Sequence, residues 1–522
     1  MKRTLALSLL AWLVTAAACS QPRAYRAPKF AHDWSAAGVH PDHIVLSFAG
    51  DPATSAAVTW RTSTEVPAGV AEIAPATAAP KFWRNARTVR AETEVLDARD
   101  FFLAGVQQHY HTALFEDLQP GTLYAYRVGD GETWSEWIQF RTATRESEPF
   151  SFLYVGDAQN FILELWSRLI REGYRKAPEA RFIVHAGDLV SEAHSERQWH
   201  EWFTAGGWIH RMLPAVPTPG NHEYQPRSER GVKRQLSAQW RPQFALPLNG
   251  PKGLEETVYY FDYQGVRIIS LNTNRQQKEQ VAWLEGVLAD NPNRWTVVTY
   301  HHPLYSASAG RDNAWLRKLW KPLFDAYGVD LALQGHDHSY ARGRVPPPGA
   351  EQNVVGGVNR RDRTGTVYVV SVSGGKMYQL RPEGWQDLGA ERDRAAENTQ
   401  LFQVINVRGD TLAYEAYTAT GELYDAFELI KDDDGAGNRF VEGKQRAGSE
   451  RRHNNTIPYL DDMPAAIRET LLKKYEGYVF EKILYVDEPA FRGYRVEMEQ
   501  GAREVHLDVD LKGNILKETY EE

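Results

Sequence analysis

Two periodicities divide the chain. Over residues 40–145 apolar positions alternate, or run in short blocks, between turn residues: IVLSFAG, AAVTWRT, HYHTALFEDL, LYAYRVGD and WSEWIQFRT. Short strands at that spacing predict an all-β sandwich. From Phe150 the rhythm changes. Fully apolar runs alternate with amphipathic stretches such as 163–175 and 278–290, a pattern that predicts an α/β domain over 150–431, with strand ends available for a site. The block closes with GTVYVVSVSGG, LFQVINVRGDTLAYEAYT and LYDAFELIK. A polar, glycine-containing linker over 432–456 follows. Residues 457–522 predict a small α+β domain, one helix (DDMPAAIRETLLKKYEG) and then three strands (VFEKILYVD, GYRVEMEQ and EVHLDVDLKGNILKE).

Composition agrees with a multidomain globular protein. The chain has 522 residues, 42% hydrophobic and 25% charged, too many for one core. A formal net charge of −8 argues against nucleic acid as a bulk partner, and an anionic substrate would need local positive charge of the kind metal ions supply. At the N-terminus, Lys2 and Arg3 precede an apolar run over 5–14 that is too short to span a bilayer. Ala16, Ala17 and Ala18 lead into Cys19, the only cysteine, so an intrachain disulfide is excluded. Residues 1–19 are expected to be a signal peptide. Its end resembles a bacterial lipoprotein box, which implies a lipidated Cys19 and a place in the cell envelope, in the periplasm or on the outer membrane. The linker's DDDGAGN fails as a calcium loop, because Ala436 occupies an oxygen-ligand position and no glutamate closes the loop.

Five motifs carry candidate chemistry, each where an apolar run ends. FLYVGDAQN offers Asp157, FIVHAGDLV offers Asp188, and PTPGNHEY offers Asn221 and His222. TVVTYHHPLYS offers His301 and His302, and LALQGHDHSY offers His336 and His338. Strand ends can converge on one cleft. Carboxylate and amide oxygens with imidazoles suit iron, manganese or zinc rather than calcium alone. An aspartate can bridge two such ions, and a pair about 3.5–4 Å apart clamps both sides of an in-line phosphoryl displacement.

Together these motifs resemble the calcineurin-like metallophosphoesterases, whose fold is a four-layer αββα sandwich. With LQPGTLYAYRVGDG, similar to the late strands and tyrosine corner of a fibronectin type III module, the chain resembles a purple acid phosphatase. The C-terminal segment is similar to small PepSY-like domains. The resemblance implies a first metal held by Asp157, Asp188 and His338, and a second held by Asp188, Asn221, His301 and His336. His222 would be the catalytic histidine that protonates the leaving group, a role its titration range also suits, with Glu223 orienting its ring. The implied reaction is hydrolysis of small phosphate monoesters by a metal-activated hydroxide. The alternatives are a phosphodiesterase or nucleotide hydrolase on the same metals, or a cell-surface binding protein with a vestigial site.

Two positions depart from the family pattern. Gln159 stands where the purple enzymes carry glycine and many relatives a ligating histidine, and is expected to play a part at the metal site. Ser191 stands where a tyrosine ligates ferric iron. Its loss favours a divalent pair such as Fe, Mn or Zn over mixed-valence iron. His302 is a candidate substrate contact. His185 is expected in the core, His109 and His111 in the β module, and His194 and His200 in surface packing, with His194 near enough to line the cleft. Arg311 is expected to be an exposed loop arginine.

Overall fold

The computed structural model describes residues 36–97, 107–225, 235–308, 310–347, 354–355, 358–359, 363–381, 384–432, 437–443, 463–488, 491–500 and 503–521. The expected leader with Cys19 and most of the linker lie outside the described residues. Inside the expected linker, Asn438–Glu442 is instead a strand that pairs with Leu423–Ile430, because its Phe440 joins the central core.

The N-terminal sandwich packs Asp42–Ser47, Ala56–Ser63, Gln107–Phe115 and Glu92–Asp97 against Arg87–Arg90, Val70–Pro75, Leu123–Gly129 and Ile138–Arg141. Its core is the inward set of the alternating strands, including Leu46, Val58, Trp60, Ile73, Phe115, Tyr126 and Phe140. The Tyr124 hydroxyl accepts the Gln119 N–H at 2.8 Å, the corner that LQPGTLY suggests. One register pair, Ser47 with Ala215, carries this sheet into the next domain.

In the central domain the parallel strands Phe150–Val155, Ile183–His185 and Ala215–Pro217 form one sheet, and the antiparallel strand Leu401–Arg408 extends it beside Phe150–Val155. Val266–Ser270, Trp295–Tyr300, Leu331–Gln334 and Val367–Val370 run parallel in a second sheet. The two sheets stack face to face. Strand alternation sends Trp295, Val297, Leu331, Leu333, Val367 and Val369 into the shared core. Val298, Tyr300, Ala332, Tyr368 and Val370 point instead to a layer with Leu284, Leu316, Trp320 and Phe324, from helices Glu279–Ala289 and Ala314–Tyr327. Strands buried on both faces are therefore apolar at most positions, which is why they read as runs; Arg267, Thr296, Thr299 and Gln334 are buried polar exceptions. On the other sheet, helix Ser167–Lys176 contributes Leu169 and Ile170. The four layers α, β, β, α follow.

The C-terminal segment departs from its expected three strands. After helix Ala465–Lys474 come four: Val479–Glu488, Phe491–Gln500, Arg503–Asp510 and Ile515–Glu521. The last expected strand breaks at Asp510, whose carboxylate accepts the N–H groups of Lys512 and Asn514 at 2.8 Å each. Gly513 closes the turn at φ 90°, a conformation that favours glycine. Ile467 and Leu471 of the helix pack on Val496, Met498, Val505, Leu507 and Val509 as a separate small core.

Candidate metal centre

Five strand ends deliver the donors to one place. Asp157 follows Phe150–Val155, Asp188 follows Ile183–His185, Asn221 follows Ala215–Pro217, His301 follows Trp295–Tyr300, and His336 follows Leu331–Gln334. The backbone is forced there: Asp157, Asp188 and His336 have φ of 51°, 51° and 72°, left-handed values that cost a residue with a side chain roughly 1–2 kcal/mol each. Close approach of the loops also fixes the glycines of the motifs. A Cβ on Gly220 would lie 2.0 Å from Asp188 Oδ1, and one on Gly335 would lie 2.5 Å from Asp157 Oδ2.

The donors form two groups that share Asp188: Asp157, Asp188 and His338, and Asp188, His301 and His336, with candidate ligand atoms within 4.8 Å of one another in each group. His301 Nε2 lies 3.0 Å from Asp188 Oδ2 and 3.0 Å from Asn221 Oδ1. The same Asn221 oxygen lies 3.0 Å from His336 Nδ1. His338 Nε2 is 3.6 Å from Asp157 Oδ1. The Asp157 carboxylate also accepts the His336 N–H at 2.8 and 2.9 Å.

Two imidazoles are already oriented by main-chain carbonyls. His301 Nδ1 donates to Ala186 at 2.8 Å, and His338 Nδ1 donates to Lys376 at 3.0 Å. A carbonyl only accepts, so each neutral ring turns the lone pair of Nε2 towards carboxylate oxygens. Lone pairs facing carboxylates in a dry pocket require a cation. Gln159 adds to this. Its amide nitrogen sits 2.9 Å from Asp188 Oδ2 and 3.0 Å from His338 Nε2, while its Oε1 is buried without a hydrogen-bond partner. A rotation of the amide by 180° exchanges the two ends and turns that oxygen to the first group of donors. The residues present therefore fit a pair of metal ions.

Electrostatics without metal point the same way. Burial, with Asp188 beside it, holds the Asp157 carboxyl well above the usual range. Burial pushes Asp188 up as well, but the charges of His301 and His222 outweigh it and leave this carboxyl below its usual range. Burial lowers His301, yet Asp188 raises it further, to about 9. A proton on His301 thus stands in for the missing positive charge. Burial, with His302 and Arg311 nearby, holds the His336 ring well below its usual value.

His222 lies beside these donors. Its backbone N–H donates to Asp188 Oδ1 at 2.9 Å and its Nδ1 to the Ser191 carbonyl at 2.7 Å. Glu223 does not orient this ring, contrary to the sequence expectation. Its buried carboxyl accepts the N–H groups of Asp188, Leu189 and Gly220 at 2.9, 2.8 and 2.7 Å, clamping two donor loops together. The reason is geometric: Glu223 closes the short helical turn Asn221–Glu223 and points back under Gly220. Burial and Asp188 push its carboxyl up to about 8. The Ser191 hydroxyl donates to Asn160 Oδ1 at 2.9 Å. His302 Nδ1 is 2.7 Å from the Thr273 hydroxyl, and its ring centroid is 4.1 Å from that of His336.

Arg311 is buried rather than exposed. It donates to the His336 carbonyl at 3.0 Å, pairs with Asp337 at 3.3 Å and lies over Tyr378 at 4.6 Å. The charge of Asp337, inside the GHDH loop, draws it in. His185 is buried against Trp202 and His210, and His109 and His111 belong to the sandwich strand Gln107–Phe115. His200 pairs with His43 at 3.0 Å. Asp42, next to that pair, gives both carboxylate oxygens to Arg61, so this third cluster joins two domains.

The comparisons with known proteins match this geometry. The purple acid phosphatase N-terminal domain matches residues 41–142 and the calcineurin-like phosphoesterase domain matches 150–340. The mouse acid phosphatase type 7 is 27% identical over 338 residues, 58% of this chain and 71% of the relative. The Arabidopsis thaliana Fe(3+)-Zn(2+) purple acid phosphatase 12 is 24% identical over 331 residues, 60% of this chain and 69% of that protein. The purple acid phosphatase PPD1 from yellow lupin seeds shares the fold with a TM-score of 0.64 at 19% identity, over 76% of this chain and 75% of that structure. The chain thus carries a purple acid phosphatase N-terminal domain ahead of a calcineurin-like phosphoesterase domain, on a fold shared with a purple acid phosphatase, and its homologues support a hydrolase acting on phosphoric esters.

Proposed function

We propose that the chain is a dinuclear metal-dependent phosphatase that hydrolyses small phosphate monoesters, with Asp157, Asp188 and His338 at one ion and Asp188, Asn221, His301 and His336 at the other. The observation that carries this reading is the sharing of Asp188 by two groups of donors. Gln159 joins the first site through Oε1. When bound, the ions supply positive charge at the phosphoryl oxygens and acidify water at the site. A divalent pair such as Fe, Mn or Zn suits the donors, because the Ser191 hydroxyl is turned to Asn160 and no phenolate stands at that position to stabilise a trivalent ion.

The protein's own groups divide the remaining work. With Nδ1–H held by the Ser191 carbonyl, the doubly protonated His222 ring presents Nε2–H to the leaving oxygen and gives up that proton as the ester bond breaks, leaving the neutral ring with its proton on Nδ1. Thr273 fixes the His302 ring beside His336, where it can contact a phosphoryl oxygen. Buried Glu223 keeps the Asp188 and Gly220 loops in register. Export and a lipid anchor at Cys19 are part of the proposal and rest on the N-terminal sequence.

Turnover of p-nitrophenyl phosphate against bis(p-nitrophenyl) phosphate by the metal-loaded chain tests the substrate class. A faster monoester supports the reading, and a faster diester replaces it with a phosphodiesterase.

A further inference from the structure

The catalytic cleft has a second wall that comes from the C-terminal domain. A cavity of about 520 Å3 lies between Ser191, Glu192, His194, Asn221, His222 and Tyr224 on one side and the C-terminal sheet on the other. Strand alternation gives that sheet two unlike faces. Val496, Met498, Val505, Leu507 and Val509 turn to the helix Ala465–Lys474, and the remaining positions turn outward. Register then places Arg495, Asp508 and Lys517 in one row and Glu497, His506 and Thr519 in the next. All six line the cavity.

Lys517 reaches this face through a bulge. Val509 pairs with Ile515, but Asp508 pairs with Lys517, so Leu516 is the extra residue and alternation is reset there. A bulge re-aims side chains in this way. These six carry a guanidinium, an ammonium, two carboxylates, an imidazole and a hydroxyl; Glu504 adds a third carboxylate, and Met498 and Leu507 also reach the cavity. Arg495 and Asp508 pair at 3.0 Å, whereas Lys517 has no ion pair among the described residues.

We propose that this face is the second wall of the phosphoester site and holds the alcohol part of the substrate, a small hydroxyl-bearing alcohol such as a sugar or polyol; the inference rests on the phosphatase reading above. A cavity of this size takes a small organic group together with the phosphoryl group. Alternating donors and acceptors along the two rows match hydroxyl groups, and on this wall they outnumber the apolar side chains of Met498 and Leu507. Position and polarity together make the C-terminal sheet the part that selects the leaving group, while the core binds the phosphoryl group.

The test is calorimetric binding of two inert phosphonates to the full Mn2+-loaded chain. Butylphosphonate and dihydroxybutylphosphonate differ only in two hydroxyl groups. The wild-type chain is expected to prefer the diol by about tenfold. The Lys517→Ala, Glu497→Ala double variant is expected to lose that preference and keep its affinity for butylphosphonate. Thermal melting of the variant confirms that the sheet is intact. No preference in the wild type, or a preference that survives both substitutions, overturns the proposal. A chain that shows the preference but turns over no ester supports the wall and contradicts the phosphatase reading alone.

Discussion

The imidazole of His222 hangs from the main chain of Ser191: Nδ1 donates to the serine carbonyl at 2.7 Å. The carbonyl holds Nδ1–H and aims Nε2, which donates its proton from the imidazolium form, and the side chain at 191 has no part in it. His222→Ala is therefore expected to lower kcat by about 10²–10⁴-fold. The loss should be greater for an alkyl phosphate than for p-nitrophenyl phosphate, whose leaving group needs less protonation. Ser191→Ala should remain within about twofold of wild type. Steady-state kinetics on the two esters measures both effects.

Gln159 is expected to count in metal binding. Removing its amide with Gln159→Leu should weaken the first site by about 10–100-fold, and Gln159→His should restore it. Competition with a chromophoric chelator reads this without catalysis. Equal affinity in all three chains would assign Gln159 a space-filling role.

Glu223→Ala should destabilise the fold whether or not metal is present. It leaves the N–H groups of Asp188, Leu189 and Gly220 without their acceptor, and each buried unsatisfied donor costs about 1–3 kcal/mol. Calorimetric melting of the metal-stripped chain should show the drop, and Glu223→Gln, which keeps one acceptor oxygen, should show less of it. An unchanged melting temperature would contradict the clamp.

Acid sensitivity should come from buried histidines outside the donor set. His210 stacks on Trp202 with centroids 4.0 Å apart, and burial holds its ring down at about 3. Between that value and the unfolded pKa near 6.5, the unfolded chain binds a proton that the folded chain refuses. Stability is therefore full above about pH 6.5 and falls as pH drops towards 3, by about 1.4 kcal/mol for each unit of depression. His210→Phe should flatten that slope, measured as melting temperature against pH.

The fold and the donor set were legible because both are written locally. Strands buried on two faces are apolar at most positions, and the loops can approach one another only where Gly220 and Gly335 precede a donor. What the sequence hid depends on partners distant in the chain. The carbonyl of Ser191 carries no side-chain signal, so the sequence points to the adjacent Glu223 as the group that orients His222. Arg311 reads as a loop residue until Asp337 is seen to draw it inward. The DLKGN turn at Gly513 sits inside an alternation that continues on both sides, so the segment reads as one strand. The closeness of Lys517 to His222, across nearly three hundred residues, has no trace in either motif.

The central claim is that Asp188 joins two metal ions in one phosphatase site. Metal content by mass spectrometry, paired with turnover of p-nitrophenyl phosphate, for the wild-type chain and Asp188→Ala tests it most directly. The account predicts two transition-metal ions per wild-type chain, pale and without a tyrosinate–iron band, with both metal and turnover lost in the variant. A wild-type chain without transition metal, or an Asp188→Ala chain that keeps its turnover, would contradict it.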